Sequence, residues 1–143
     1  MAAKGATFEN SLLLLIFQGS AIAGFALNAT ASPLTNLYVS LHTGTLTSAS
    51  AQNTSEAAYG AYARATVART SGGWTVSTNT VSPVATISFP MATSGSETET
   101  YFAVGTTSAG VGQIMYFGTI TPNILVTTNV TPQLTTSSTI TES

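Results

Sequence analysis

His42 is the only histidine of the chain and the side chain best suited to proton transfer. A neutral imidazole can act as a general base near neutral pH. A nucleophilic triad also requires a carboxylate that orients the imidazole, and the sequence contains no aspartate. We therefore expect His42 to be a surface or interface residue that is bonded to backbone. A hydrolase built on it is the least favoured function.

Two glutamates, Glu97 and Glu99, are spaced so that both carboxylates lie on one face of a predicted strand. Paired carboxylates can bind a metal ion or work as acid and base. No third anionic ligand lies near them in the sequence. A solvated strand edge that discourages pairing with another sheet explains them as well, and this is the interpretation that we favour.

The segment Gly105–Gly112 is rich in glycine and invites comparison with a phosphate-binding loop. The Lys-Ser/Thr pair of that motif is missing and no helical pattern follows, so the segment predicts a hairpin turn. Arg64 follows Tyr62 at strand spacing, and we expect it to form a salt bridge to a glutamate, within the chain or across a subunit boundary. We assign no catalytic, cofactor-binding or metal-binding residue and expect no cofactor.

Composition narrows the class of protein further. Charged residues make up 6% of the 143 residues and hydrophobic residues 43%, whereas about a quarter of an average soluble protein is charged. A nearly uncharged polar surface is typical of extracellular β-proteins and of components of large assemblies. Three basic residues are too few for a nucleic-acid interface. The absence of cysteine excludes disulfides and thiolate metal sites.

The N-terminal region predicts the only helix. We expect residues 1–6 to form a flexible arm and residues 7–27 a helical segment. Within it a helix with the apolar run Leu12–Phe17 should end at Gly19, and residues 21–27 should form a second short helical turn or an irregular apolar segment. Ala21–Ala23 resembles a signal-peptide cleavage site, which keeps a signal peptide open as an alternative. A membrane span is less favoured because Gln18-Gly19-Ser20 interrupts the apolar run.

The strand Asn36–Thr43 should join this helix to a sheet. Leu37, Val39 and Leu41 alternate with polar residues, so we expect them to face the helix while the other face lies outside. The loop Gly44–Glu56 has no apolar periodicity and should be mobile or contact a partner. Further strands are predicted over 62–68, 74–77, 84–89, 97–105, 113–120, 124–128 and 133–141, with turns at Thr70–Gly73, Asn79, Ser94–Ser96 and Pro122-Asn123.

About eight short strands and one helix predict a mainly β fold. We expect one domain over residues 1–143, with the β-region at 36–143 forming an antiparallel β-sandwich or flattened barrel on which the N-terminal α-helix packs.

The order of several short motifs is similar to that of a known family. These are Thr7-Phe-Glu-Asn10, Asn36–Thr43, Tyr59–Arg64, Gly73-Trp74, Ile87–Pro90 and Gln113–Gly118. From about Thr7 onward the chain resembles a family of small tailed-bacteriophage virion proteins, described as tail-fibre-like or head-decoration proteins. Gly44–Ser55 departs from that family, which usually has an Asp-Pro or Gly-rich acidic turn there.

The resemblance implies a non-enzymatic virion structural protein. The favoured role is a capsid decoration (cement) protein that self-associates, as a homotrimer, and stabilises the shell of the major capsid protein or of other virion subunits. The alternative is a tail-fibre or tail-tip module that contacts the host surface through the loops Gly44–Glu56 and Ala92–Ser96. Either would be assembled in the bacterial host cytoplasm and would bind neither nucleic acid nor membrane.

Overall fold

A computed structural model describes residues 6–22 and 33–142. The elements are α1 (Ala6–Gln18), β1 (Asn36–His42), β2 (Ala65–Ala68), β3 (Trp74–Ser77), β4 (Thr80–Pro83), β5 (Ile87–Ser88), β6 (Ser96–Gly105), β7 (Ile114–Thr127), β8 (Gln133–Leu134) and β9 (Ile140–Thr141). The predicted class, mainly β with antiparallel sheets and one N-terminal helix, is confirmed, in the sandwich form and not as a closed barrel.

The chain divides into two compact units. The first contains Met1–Asn36, Ala68–Thr86 and Thr135–Ser143, and the second contains Leu37–Val67 and Ile87–Leu134. The prediction of one domain over residues 1–143 stays a prediction.

In the first unit the helix packs on β3 and β4, and β9 extends these two strands to a three-stranded sheet. The Phe17 ring meets the Trp74 ring edge to face, with centroids 4.8 Å apart. The prediction that the strand Asn36–Thr43 faces this helix stays a prediction, and β4 was not predicted. No helix within the described ranges is long and apolar enough to cross a membrane.

The helix ends where the sequence places a glycine. Gly19 adopts a positive φ of 69°, which glycine accepts without steric cost. The Arg69 guanidinium donates to the carbonyls of Leu15 and Ile16 in the last turn. A cation at that end is favourable because the last carbonyls carry partial negative charge. The predicted helix end at Gly19 is confirmed, and residues 19–22 of the predicted helical segment 7–27 are not helical. Residues 23–27 lie outside the described residues, as do residues 1–5 of the predicted arm.

The second unit is built on a four-stranded sheet in the order β2-β1-β6-β7, with β5 and β8 forming a separate pair. β1 and β6 are antiparallel, with Val39 opposite Val104 and Leu41 opposite Phe102. β1 is buried on both faces, since Ser40 and His42 are each 0% exposed. The prediction that one face of this strand lies outside was wrong.

The loop Gly44–Glu56 covers that face. Thr43 N donates to Ser55 O and Ala57 N donates to Leu41 O, so the chain doubles back along β1. The Gln52 side chain is buried and donates to Tyr38 O at 2.9 Å. The loop is thus part of the core of its unit, which its polar composition did not indicate.

β7 is one 14-residue strand where the sequence predicted two strands and a turn at Pro122-Asn123. The register between β6 and β7 shifts within the strand: Glu99 lies opposite Ile124, whereas Tyr101 lies opposite Thr119. Four residues of β7 therefore stand against one residue of β6, and the bulge takes up the proline without ending the strand. The Thr121–Pro122 peptide in it is cis.

Two other predicted strands are shorter than expected. The run over 84–89 contributes only β5, and the run over 62–68 begins at Ala65.

Candidate functional site

Both ring nitrogens of His42, which lies in the second unit, are within hydrogen-bond distance of a partner. Its Nδ1 is 2.8 Å from Thr54 O, and its Nε2 is 2.9 Å from Ser40 Oγ. A carbonyl only accepts, so Nδ1 carries the proton and Nε2 accepts from the Ser40 hydroxyl. Burial lowers the pKa of His42 below its ordinary value, since the imidazolium would lose its hydration.

The Ser40–His42 pair has the atoms of a nucleophile and its base, but no route for a substrate. Both side chains are 0% exposed, and a general base must come within hydrogen-bond reach of a substrate proton. The expected surface position of His42 was wrong, whereas the expected bond to backbone is present. The arrangement fastens the loop residue Thr54 to β1.

Glu56 and Arg64 form an ion pair with two parallel bonds. Arg64 Nε lies 2.6 Å from Glu56 Oε1, and Arg64 Nη2 lies 2.8 Å from Glu56 Oε2. Tyr62 donates its hydroxyl to Glu56 Oε1 and accepts from Leu41 N. Burial raises the pKa of Tyr62. The expected salt bridge of Arg64 to a glutamate is thus present within one chain.

Arg64 also anchors the glycine-rich turn between β6 and β7. Its Nη1 donates to Thr107 O and Oγ1, and its Nη2 donates to Gly110 O. Together with the bonds to Glu56, these contacts use all five N–H groups of the guanidinium. An open depression of about 240 Å³ lies beside the cluster. The Arg64 guanidinium beside this depression is already paired within the chain, so it is not free to bind a phosphate. The glycine-rich segment is the turn that connects β6 and β7, as predicted.

The glutamate pair on β6 differs from its prediction. Glu97 Oε1 accepts from Ala58 N at 2.8 Å and from Tyr59 N at 2.9 Å. Glu99 is 0% exposed, and neither of its carboxyl oxygens has a hydrogen-bond partner among the described residues. Burial, followed by the neighbouring charge of Glu97, raises the pKa of Glu99 to about 8. The expected solvated edge was wrong for Glu99, because the covering segment 57–60 is distant in sequence.

Metal ligands do not gather in the described part of the chain. Residues 6–22 and 33–142 hold no group of three or more His, Cys, Asp or Glu that could bind a metal ion. The prediction that the protein binds neither metal nor cofactor stays a prediction.

The outer edge of β7 is the candidate interaction surface. Among the described residues β7 pairs only with β6, so no described strand covers its other edge. Phe117 is 39% exposed and Leu125 is 62% exposed. The strand has no charged residue along its 14 positions. Sheet edges are templates for pairing with another chain unless charges or prolines block them. β7 has no charge but carries Pro122 in its bulge, so the edge available for pairing consists of the stretches 114–119 and 124–127 on either side.

Comparison with protein families identifies the class. A family model described as Podophage GP4 fiber I protein gp80 matches residues 5–141. The chain belongs to this family. It is a family of phage virion structural proteins, so the resemblance to tailed-phage virion proteins is confirmed at that level. No curated protein matches the chain.

Membership in the gp80 family also supports a location in the virion. It leaves a fiber role and a capsid decoration role undistinguished. The signals that marked the family in the sequence include the β1 strand and the Tyr59–Arg64 segment, whose Tyr62 and Arg64 bind the same carboxylate.

Proposed function

We propose that this protein is a non-enzymatic fiber subunit of a phage particle that assembles with copies of itself through the outer edge of β7. The description of its family names a fiber, and for that reason we place the fiber role first and the capsid decoration role second. The observation that carries the self-association is the long uncharged edge of β7.

The edge favours a second copy because it is extended, neutral and apolar in part. Residues 114–119 and 124–127, on either side of the bulge that holds Pro122, offer rows of backbone groups for pairing. Two such strands meet without like-charge repulsion, since neither carries a charge. Burial of Phe117 and Leu125 against a neighbour adds about 25 cal/mol for each Å² of apolar surface that is removed from water.

The symmetry of the contact decides the size of the assembly. A β7 strand that pairs with β7 of a second copy gives a two-fold dimer, because the same surface is used on both sides. The expected homotrimer requires a head-to-tail contact, in which the β7 edge meets a different surface of the next copy. Light scattering on the purified protein distinguishes two copies from three.

The absence of enzymatic activity is part of this proposal. The only Ser–His pair among the described residues is fully buried, and the His42 imidazole is used to hold the loop Gly44–Glu56 against β1. We propose likewise that the chain binds neither nucleic acid nor membrane, which its three basic residues support.

A capsid decoration role is the second candidate. The low charge content suits any subunit whose surface is largely covered by neighbours, and a shell protein is such a subunit. The partners would then be major capsid proteins. In both cases we propose assembly in the host cytoplasm before release of the particle.

Immunogold labelling of intact particles tests the proposal. A fiber subunit places the label on appendages of the particle. Label spread over the capsid would replace the fiber role with the decoration role, and particles without label would refute both.

A further inference from the structure

We propose that Glu97 and Glu99 form a carboxyl–carboxylate pair in which Glu99 holds a proton at neutral pH, and that loss of this proton at alkaline pH releases the segment Ala57–Gly60 from β6. The pair would make the second unit sensitive to alkali. This inference is independent of the fiber role and rests on the contacts around β6.

The first step is the environment of Glu99. Its side chain is 0% exposed, and neither oxygen has a hydrogen-bond partner among the described residues. An ionised carboxylate in such a place has neither water nor a donor to stabilise its charge. The neutral acid is the form that this position tolerates.

The second step is the absence of a cation within reach. The Arg64 guanidinium is paired with Glu56 and with the turn after β6. The Arg69 guanidinium binds carbonyls at the end of the helix. Since neither Glu99 oxygen has a hydrogen-bond partner among the described residues, no described cation is bonded to the carboxylate, and a proton is left to neutralise it.

The third step is the role of Glu97. Its Oε1 accepts two backbone N–H groups, from Ala58 and Tyr59. Glu97 therefore places a negative charge beside Glu99 on the same strand. Burial and this charge together raise the pKa of Glu99 to about 8.

The titratable groups that face Glu99 are few. Glu97 lies on the same strand, and Tyr59 lies in the segment packed against it. The Tyr59 hydroxyl donates to Pro90 O, so it is not the donor that Glu99 lacks. Burial, with smaller effects of the Glu99 and Glu97 charges, raises the pKa of Tyr59 to about 12. Tyr59 therefore stays neutral over the range in which Glu99 titrates.

The consequence follows from where Glu97 is attached. When Glu99 ionises, two adjacent carboxylates repel each other inside a poorly hydrated site. The structure can relieve this repulsion by letting water in between β6 and the segment Ala57–Gly60, which Glu97 holds by two bonds. Gly60 is also bonded to the loop before β6, through Ser94 O and Thr93 N, so that loop should open with it.

The test is thermal unfolding of the full chain between about pH 4 and pH 10, a range that spans the ordinary and the shifted pKa of a glutamate. We expect the Tm of the natural protein to fall as pH rises from the ordinary pKa of a glutamate to the raised pKa of Glu99, about 8, and the variant Glu99→Gln to keep its Tm over the same range. The matched control is Glu56→Gln, which removes a carboxylate of the same unit that is already paired with Arg64, and its Tm should keep the alkaline fall. Parallel curves for the natural protein and Glu99→Gln would overturn the proposal.

A direct measurement keeps the test valid if Glu99→Gln does not fold. Carboxyl ¹³C NMR of the natural protein should show one glutamate that titrates far above the others. Hydrogen exchange at pH 9 should show faster exchange of the amides of Ala58 and Tyr59 than at pH 6, after correction for the intrinsic rate. If every glutamate titrates near its ordinary value, the proposal is wrong.

The same titration with added Ca²⁺ or Mg²⁺ separates a proton on Glu99 from a cation bound by the two carboxylates. A proton on Glu99 predicts no change in Tm with either ion. A rise in Tm with the ion that disappears in Glu99→Gln would mean that the two carboxylates bind a cation, and would overturn the proposal.

Discussion

Arg64 and Glu56 are joined by two parallel hydrogen bonds, of 2.6 Å and 2.8 Å, while the Arg64 side chain is only 1% exposed. The pair connects the end of the loop that covers β1 to the start of β2. Through Thr107 and Gly110 it also fixes the turn between β6 and β7. Three segments that are distant in sequence therefore depend on one guanidinium.

Removal of one partner of this ion pair should destabilise the protein strongly. Arg64→Met leaves the Glu56 carboxylate with a single side-chain donor, from Tyr62, and the expected loss is about 3–5 kcal/mol, the range for breaking a buried pair. The double variant Glu56→Met, Arg64→Met should recover part of that loss, since no uncompensated charge remains. Urea unfolding of both variants measures the difference. Equal stability of Arg64→Met and the natural protein would contradict the structural role of the pair.

The buried His42 should make the protein sensitive to acid. Its folded pKa lies below the ordinary value of 6.5, so the neutral form contributes stability that is present above that value. This stability is lost as pH falls from the unfolded pKa through the folded pKa. His42→Gln should flatten the acid limb of a curve of unfolding free energy against pH. An unchanged acid limb would show that His42 does not titrate in this way.

His42→Ala tests the packing of this side chain. The fully buried position now predicts a cavity and the loss of two hydrogen bonds, with a cost of about 2–5 kcal/mol. The fraction of His42→Ala that folds should still assemble and should lose no activity, because no substrate reaches this imidazole. Complete loss of an enzymatic turnover with an intact fold would contradict the non-enzymatic proposal.

Gly105 is required because Gln52 lies directly over it. A Cβ at this position would lie 2.2 Å from Gln52 Oε1, closer than two non-bonded atoms can approach. Gly105→Ala should therefore displace the Gln52 amide from Tyr38 O and destabilise the protein by about 1–3 kcal/mol, the usual cost of overpacking. The matched test adds Gln52→Ala, which removes the obstructing group, so the alanine at 105 should cost much less in that background. Additive losses in the double variant would show that the two residues do not clash.

The β7 edge can be tested by adding charge. Phe117→Lys with Leu125→Lys places two cations on the exposed residues of the strand and should prevent pairing with a neighbour, as lysine does on natural sheet edges. Light scattering should then report a monomer. Val111→Lys is the control, since Val111 is 77% exposed in the turn before β7 and lies outside the strand. Dissociation by Val111→Lys alone would point to a surface around the turn instead.

The loop residues Gly44–Glu56 need a gentler test than deletion. Deleting them would uncover His42 and Gly105, so a loss of adsorption could reflect unfolding. Substitutions at the exposed tip, Thr47–Ala49, leave the buried Gln52 in place. Reduced adsorption to host cells by folded tip variants would support a host contact of this loop, while unchanged adsorption would leave the loop a structural role.

The local sequence pattern was sufficient to predict several elements of the fold and insufficient to predict others. The return strand at Trp74, the strand ending at Gly105 and the helix end at Gly19 all follow from alternation or from a residue with special backbone freedom. The two-sided burial of His42 does not, because the covering residues Gln52 and Thr54 sit in a polar loop without periodicity. The alternation of apolar and polar residues identifies the two faces of a strand. Whether the polar face is exposed to solvent depends on a segment elsewhere in the sequence.

The same reason explains the buried glutamate and the continuous β7 strand. Glu99 is covered by a segment 40 residues earlier in the chain, and nothing in Glu-Thr-Glu spacing indicates that contact. Pro122 is ordinarily a turn signal, yet the bulge opposite Thr100 accommodates it within the strand. Composition, by contrast, predicted the class well, since a nearly uncharged, Thr-rich chain is typical of an assembled β-protein.

A high-resolution cryo-EM reconstruction of the phage particle tests the central proposal most directly. The account predicts this chain in an appendage of the particle, in several copies, with the outer edge of β7 hydrogen-bonded to a neighbouring copy and Phe117 and Leu125 buried in that contact. A particle in which β7 faces solvent in every copy, or in which the chain is absent, would contradict it.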